Sequence, residues 1–219
     1  MISVPFDVQP ETPPLDRAEV HVWLVEAPGD ATPRSLSGYA HATLGRLLAR
    51  YADLPEPPTL VRDEHGKPHA PDLHGIDFNL SHSGKHALIA VAIGQPLGVD
   101  IEMQGRARSI EEIAQRYFAP SEAMALQALP PDLRDAAFLR LWTGKEAVLK
   151  AIGQGLSFGL DRVEFELDQF GQLGALRRVQ HDQAQTKGWH WHALQPLQDH
   201  HGAIAWHGPP RRLRLMRAP

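Results

Sequence analysis

The run Leu141-Trp142-Thr143-Gly144-Lys145-Glu146-Ala147-Val148-Leu149-Lys150-Ala151-Ile152 constrains this chain more than any other stretch. At 3.6 residues per turn, Trp142, Glu146 and Lys150 share one face of a helix, which Gly153 and Gly155 close. A Glu four residues before a Lys gives only about 0.2–0.5 kcal/mol of helix support, so a surface ion pair is one reading. A second reading comes from Gly98-Val99-Asp100-Ile101-Glu102, which offers two more carboxylates where a solvated charge is not expected.

A chain of 219 residues with 42% hydrophobic content can build one large domain or two small lobes. Twenty-two Lys and Arg against 26 Asp and Glu give no global electrostatic reason to expect nucleic acid as a partner. With no cysteine, a disulfide framework, a thiolate metal site and a cysteine nucleophile are all excluded. No run approaches the length of a membrane span and the N-terminus lacks a signal-peptide pattern, so a cytoplasmic protein away from membranes is expected.

Five segments follow in order: a proline-rich arm (1–19), a first lobe (20–103), a linker (104–109), a second lobe (110–208) and a basic tail (209–219) read as a solvated extension. In the first lobe, 21–26 reads as a strand and 37–51, with Leu44, Leu47, Leu48 and Tyr51 at helical spacing, as a helix. Residues 76–83 alternate as a half-buried strand, 87–93 are apolar throughout as a central strand, and 97–102 are a third strand of the same small sheet. The second lobe reads as helices at 110–117, 121–128 and 133–151, then strands at 162–167, 175–179, 189–194 and 202–206. The order repeats that of the first lobe. In Gly188-Trp189-His190-Trp191-His192 alternation points both Trp inward and both His to solvent, so no metal is assigned there.

Asp100 and Glu102 leave one face of a strand about 7 Å apart. Either they face solvent at a sheet edge, or a cation of the Mg²⁺ type relieves their repulsion, with Glu146 as a third oxygen donor. Ser81 and His82 end a strand, where they can cap a turn or hold phosphate oxygens. Gly66-Lys67-Pro68 alone is a turn with an exposed Lys.

Four stretches, Gly66-Lys67-Pro68, Phe78 to Ser83, Gly98 to Glu102 and Trp142 to Leu156, occur in the order and spacing of the 4′-phosphopantetheinyl transferase superfamily. With Arg116 to Glu122 added, the chain resembles the two-lobed, surfactin-synthetase-activating type over about residues 20–207. That resemblance implies an α+β, pseudo-symmetric two-lobed fold, each lobe a small, mostly antiparallel sheet packed with helices. It also implies Mg²⁺-dependent transfer of phosphopantetheine from coenzyme A to a serine of an acyl or peptidyl carrier protein, with release of 3′,5′-ADP. By the same resemblance Asp100, Glu102 and Glu146 ligate Mg²⁺, Ser81 and His82 hold the 3′-phosphate, and Lys67 and Pro68 line the adenine or phosphate side. Lys150 stabilises the α-phosphate and can protonate the leaving oxygen; on the residues themselves Glu146 is the nearest carboxylate to serve as base for the carrier serine, with a metal-bound water held by it as the alternative. Trp142 is read as a packing wedge. The acidic carrier is expected to dock near Arg106, Arg108, Phe118 and Met124 of a monomer. One stretch departs from the pattern: in Ala40-His41-Ala42-Thr43-Leu44-Gly45-Arg46-Leu47-Leu48, His41 and Gly45 stand where Arg is usual, leaving Arg34, Arg46 or Arg62 as substitutes. A Mg²⁺-dependent nucleotide phosphohydrolase and a non-catalytic carrier-binding module are the alternatives.

Overall fold

The strand β6, His86–Ile93, is apolar on both faces, and a strand of that kind must be covered on both sides. In the computed structural model, which describes residues 6–9, 11–29, 33–63, 66–105, 109–154, 158–180 and 186–218, Ala87 to Ala92 are fully buried. Ala87, Ile89 and Val91 pack with Trp23, Leu44 and Leu48 beneath helix α1 (Pro33–Tyr51). Leu88, Ala90 and Ala92 face the other way, onto Leu97, Val99, Ile101 and Trp206 of a second sheet.

The larger sheet runs β1 (Asp7–Val8), β12 (Arg212–Arg217), β2 (Glu19–Glu26), β6 and β5 (Ile76–Ser83). The smaller sheet runs β10 (Trp189–Leu197), β11 (His200–His207) and β7 (Leu97–Met103), all antiparallel. On its outer side lie α2 (Ile110–Tyr117), α3 (Pro120–Ala128) and α4 (Pro131–Ile152). Two hairpins complete the fold: β3–β4 (Val61–Arg62 and Pro68–His69) and β8–β9 (Val163–Leu167 and Leu173–Val179). The fold is α+β and two-lobed: one helix backs the larger sheet, three back the smaller, and the sheets meet face to face. Among the described residues no helix is long and apolar enough to cross a membrane.

Three expectations change. The basic tail is not a solvated extension, because β12 inserts between β1 and β2 and pairs in parallel with both. Its alternation explains this: Leu213 and Leu215 face the second sheet, while Arg212, Arg214 and Met216 share the other face, Met216 buried against Trp23 and Leu44 and the two arginines turned toward the buried carboxylate of Glu19. Glu19 also accepts from His21 Nε2 at 3.0 Å, and Tyr51 Oη joins His21 Nδ1 and Trp23 Nε1, each at 2.8 Å. A polar chain thus ties α1, β2 and β12 together.

The second change concerns β7, which pairs with β11 of the smaller sheet rather than with β6. Its outer edge is satisfied by side chains instead of a ladder. Val99 N–H donates to Asn79 Oδ1 at 2.8 Å, and Met103 N–H to Ser83 Oγ at 3.0 Å. The two lobes are therefore joined along β5 and β7.

Trp189 and Trp191 do pack into the helical side of the smaller sheet, but His190 and His192 are half-buried rather than fully solvated. They flank the Trp206 ring at centroid distances of 5.4 and 5.6 Å, because the face expected to be wet is partly covered by the larger sheet, against which Trp206 packs. Inside the helical layer, Lys145 is fully buried and pairs with buried Glu122 at 2.5 Å. Lys145 also donates to the carbonyls of Leu160 and Val163, and Glu122 accepts from the N–H groups of Ala119 and Phe165. Each charge is satisfied on several sides, which a buried pair requires.

Gly98 determines how closely α4 lies on β7. A Cβ there would stand 2.1 Å from the Ala147 carbonyl oxygen, 2.5 Å from Ala151 N and 2.7 Å from Lys150 Cβ. Those neighbours are mostly backbone and cannot rotate aside. Gly98→Ala should therefore push the helix outward at a cost of about 1–3 kcal/mol, read as a lowered thermal midpoint. An unchanged midpoint would mean that the helix does not rest on the strand.

Candidate active site

Helix α4 ends at Gly153, whose φ of +86° gives the left-handed cap that only glycine adopts without strain, and whose N–H donates to Leu149 O at 3.0 Å. Just before that cap, Lys150 Nζ donates to Asp100 Oδ1 at 2.7 Å and to Val99 O at 3.2 Å. The ammonium thus crosses from the helix to β7 instead of closing a surface pair with Glu146. Ser81 Oγ donates to the same Asp100 oxygen at 2.6 Å, and Ser83 Oγ to Glu102 Oε2 at 3.0 Å. Asp100 Oδ2 is buried and has no hydrogen-bond partner.

Glu146, one turn earlier on the helix, is 8% exposed. Burial, followed by the charges of Asp100 and then Glu102, pushes its carboxyl up to about 7, with Lys150 opposing. The three carboxylates feel one another, yet among the described residues no three His, Asp or Glu groups are already gathered at metal-binding range. What the arrangement provides is surplus negative charge and one unpaired buried oxygen, surrounded by hard donors.

Beside these groups opens a cleft of about 290 Å³. Helix α4 contributes Glu146, Lys150 and Gly153, and the β3–β4 hairpin contributes Arg62, Gly66, Lys67 and Pro68. Leu80 and the exposed His82 come from β5, Ser37 and His41 from α1. Lys67 is less exposed than a turn residue should be: its ammonium donates to Lys150 O at 2.8 Å and Leu97 O at 3.4 Å, and burial lowers its pKa. It caps a carbonyl at the negative end of α4.

The structure therefore brings Lys67, Pro68, His82, Glu146 and Lys150 onto one cleft from motifs far apart in the chain. Ser81 is separated from His82. Adjacent strand residues point to opposite faces, so Ser81 meets Asp100 while His82 meets the cleft. Trp142 stacks on Phe138 at 5.9 Å, in the role of a packing wedge.

Of the substitutes for the missing arginines, Arg62 lines the cleft and Arg46 does not, bonding instead to Thr43 Oγ1 at 2.8 Å. The Arg34 side chain lies outside the described residues. Gly45 has a packing reason, since a Cβ there would stand 3.1 Å from Pro57 Cβ. Helical spacing alone gave no signal for Ser37, His41 or Arg62, because their partners lie on other elements.

On the expected docking surface, Arg106 and Arg108 lie outside the described residues. Phe118 cannot present itself to a partner: it is 4% exposed and stacked on Phe138 at 5.4 Å. Met124 is exposed on α3, as is Tyr117 at the end of α2, whose ring lies under the Arg116 guanidinium.

A family model described as the 4′-phosphopantetheinyl transferase superfamily matches residues 96–205, half of the chain. Among curated proteins, a 4′-phosphopantetheinyl transferase of Bacillus subtilis is 41% identical over 110 residues, covering 50% of this chain and 48% of that protein. The 4′-phosphopantetheinyl transferase Sfp of Bacillus subtilis strain 168 is 41% identical over 111 residues, 50% of this chain and 48% of that protein. An L-aminoadipate-semialdehyde dehydrogenase-phosphopantetheinyl transferase of Xenopus laevis is 32% identical over 186 residues, 75% of this chain and 61% of that protein. The chain spans about half the length of the first two relatives.

The raised carboxyl of Glu146 has a consequence for stability. A folded-state pKa above the unfolded value of 4.5 stabilises the fold fully below about 4.5, and that contribution is lost as pH rises through about 7. Without divalent cations, Glu146→Gln should raise the thermal midpoint at pH 8 by an amount corresponding to about 1–3 kcal/mol, and the gain should vanish near pH 4.5. A gain that is the same at both pH values would remove the repulsion from this account.

Proposed function

Because the chain belongs to the 4′-phosphopantetheinyl transferase superfamily, we propose that it transfers phosphopantetheine from coenzyme A to a serine hydroxyl of an acyl or peptidyl carrier protein, releasing 3′,5′-ADP. The observation that carries this reading is the cleft itself: Arg62, Lys67, His82 and Lys150 surround a space next to a mutually repelling carboxylate set. Cations suit the phosphates of coenzyme A, and surplus carboxylates suit a metal ion on its pyrophosphate.

Lys67 and Pro68 form the floor, held by the end of α4, and His82 and Arg62 meet phosphate at the rim. Lys150, oriented by Asp100 and Val99 O, faces the oxygen on which negative charge develops and can give it a proton. The serine oxygen forms a bond to phosphorus, the bond to the bridging oxygen of 3′,5′-ADP breaks, and the serine proton passes to the Glu146 carboxylate. The donor set also fits Mg²⁺: Asp100 Oδ2 is a buried oxygen without a partner, and the charges of Asp100, Glu102 and Glu146 oppose one another. Those three residues would hold it, and the ion when bound neutralises charge on the pyrophosphate. Ser81 acts on Asp100, by orienting it, rather than on phosphate. The carrier docks over α2 and α3, where Met124 and Tyr117 are exposed.

Two measurements test this. Incubated with apo carrier protein, coenzyme A and Mg²⁺, the wild type should add the phosphopantetheine mass to the carrier. Asp100→Ala should be slowed roughly 100-fold or more, and excess chelator should stop the wild type. No added mass on any carrier would refute transfer, and full activity in chelator would refute the metal. For docking, Met124→Glu should raise the carrier KM about tenfold and leave the coenzyme A KM unchanged; equal changes in both would move the carrier surface elsewhere.

A further inference from the structure

Away from the cleft, where the two sheets meet, three side chains with soft or borderline donor atoms come together from three strands. On β6 the even-numbered residues face the smaller sheet, so His86 points the same way as Leu88 and Ala90. On the smaller sheet His200 and Met103 stand directly opposite each other in the β11–β7 register, on the face that carries Ile204 and Ile101. His86 Nδ1 lies 3.3 Å from His200 Nε2, with the rings edge to face. The Met103 sulfur borders the same space: a Cβ on Gly84 would stand 2.8 Å from Met103 Sδ and 3.5 Å from His200 Nε2, so the missing side chain keeps that space open.

The far side of each ring faces a carboxylate. His200 Nδ1 lies 2.7 Å from Asp199 Oδ1, and since a carboxylate only accepts, Nδ1 carries the hydrogen and Nε2 is a lone pair. Glu26, opposite His86 in the β2–β6 register, places Oε1 3.9 Å from His86 Nε2. With its hydrogen on that side, His86 presents Nδ1 as a second lone pair toward His200, and two lone pairs at 3.3 Å call for a cation between them. At about 2.0 Å from one ion, two imidazole nitrogens stand about 3.3–3.5 Å apart, so the pair already has the spacing of metal ligands.

We propose that His86, His200 and Met103 form a binding site for a monovalent copper ion, Cu⁺, which joins the larger sheet to the smaller one. Two imidazoles and a thioether suit a soft ion, whereas Mg²⁺ and Ca²⁺ take oxygen donors. Neutral ligands in a site where His200 is 1% exposed also favour a single positive charge over two. Without the ion, His86 Nδ1–H donates to His200 Nε2; when the ion binds, that hydrogen moves to Nε2, toward Glu26, and no proton has to leave the protein. Burial, and then the neighbouring His200, push the pKa of His86 down, which keeps it in the neutral form that a metal takes. A carboxylate behind each imidazole is the usual outer support of a metal-bound histidine. This site is separate from the carboxylates of the cleft, because Asp100 and Glu102 leave β7 on the face opposite Met103.

The test uses the full chain under anaerobic, reducing conditions, with Cu⁺ supplied from a chromophoric Cu⁺ chelator. Because the chain has no cysteine, no thiolate competes for the ion. The wild type should withdraw one equivalent of Cu⁺, and X-ray absorption should find sulfur beside imidazole nitrogen in its coordination shell. Met103→Leu keeps the side-chain volume and removes only the sulfur, so affinity should fall about tenfold or more, the sulfur should leave the shell, and the copper-free thermal midpoint should hold. His86→Gln should weaken binding about 100-fold, and Asp199→Asn, which reaches the ion only through His200, about tenfold. Without any substitution, the ¹⁵N signals of His86 Nδ1 and His200 Nε2 should shift on adding Cu⁺, and the thermal midpoint should rise. A shell without sulfur, equal affinity in the wild type and His86→Gln, or ring nitrogens that do not move at saturation would overturn the proposal. Tighter binding of Zn²⁺ than of Cu⁺ at these residues would overturn the assignment to copper. None of these readouts depends on phosphopantetheine transfer, so the copper site stands or falls apart from that activity.

Discussion

Helix α4 can touch the backbone of β7 only because residue 98 has no side chain. From that approach the chemistry of the cleft follows. It brings Lys150 within hydrogen-bond distance of Asp100 Oδ1 and Val99 O, and it sets Glu146 among the charges of Asp100 and Glu102. It also exposes the carbonyl of Lys150 to the ammonium of Lys67, which fastens the β3–β4 hairpin to the end of the helix. A helix moved outward by the width of a methyl group would loosen all of these contacts together, since interiors are packed too densely to absorb the shift elsewhere.

The helix is held down from its other side as well. Lys145 points away from the cleft into a fully buried pair with Glu122, and through Glu122 it reaches the backbone of Ala119 and Phe165. Burial pushes the Glu122 carboxyl up and the Lys145 ammonium down, and each partner's charge opposes that push on the other. Neighbouring residues of one motif therefore divide the work: Lys145 anchors the helix in its own lobe, and Glu146 faces the other lobe. Where β5 meets β7, Asn79 and Ser83 supply hydrogen bonds that a continuous sheet would have supplied, and this lets two separate sheets share a rigid seam beside the cleft.

Periodicity was a good guide to elements whose environment is uniform. Ala87 to Ile93 had to be a central strand, and Leu44, Leu47 and Leu48 had to face a core, because burial of those side chains is favourable whatever they meet. It failed where the partner was remote. Strand β12 reads as a basic tail because Arg212 and Arg214 are compensated by Glu19, nearly two hundred residues earlier. Strand β7 has the pattern expected of the first lobe, yet it pairs with β11, and alternation carries no information about which edge a strand will join. Alternation puts His190 and His192 opposite the two Trp, on a face expected to be wet, and they are half-buried because the second sheet partly covers that face.

For the site, the sequence by itself determined the chemical inventory. A Glu and a Lys one turn apart on a helix, two carboxylates on one face of a strand, and a glycine-flanked Lys are local statements, fixed by the helical and strand periods. Only the tertiary structure decided their pairing: Lys150 takes Asp100 rather than Glu146, Ser81 turns from His82 to the carboxylate, Phe118 goes into the core, and His41 reaches the cleft while Gly45 packs on Pro57. The physical reason is range. Backbone periodicity acts over a few residues, whereas the charge and close packing that choose partners act through space, between segments whose order along the chain does not say how near they will lie.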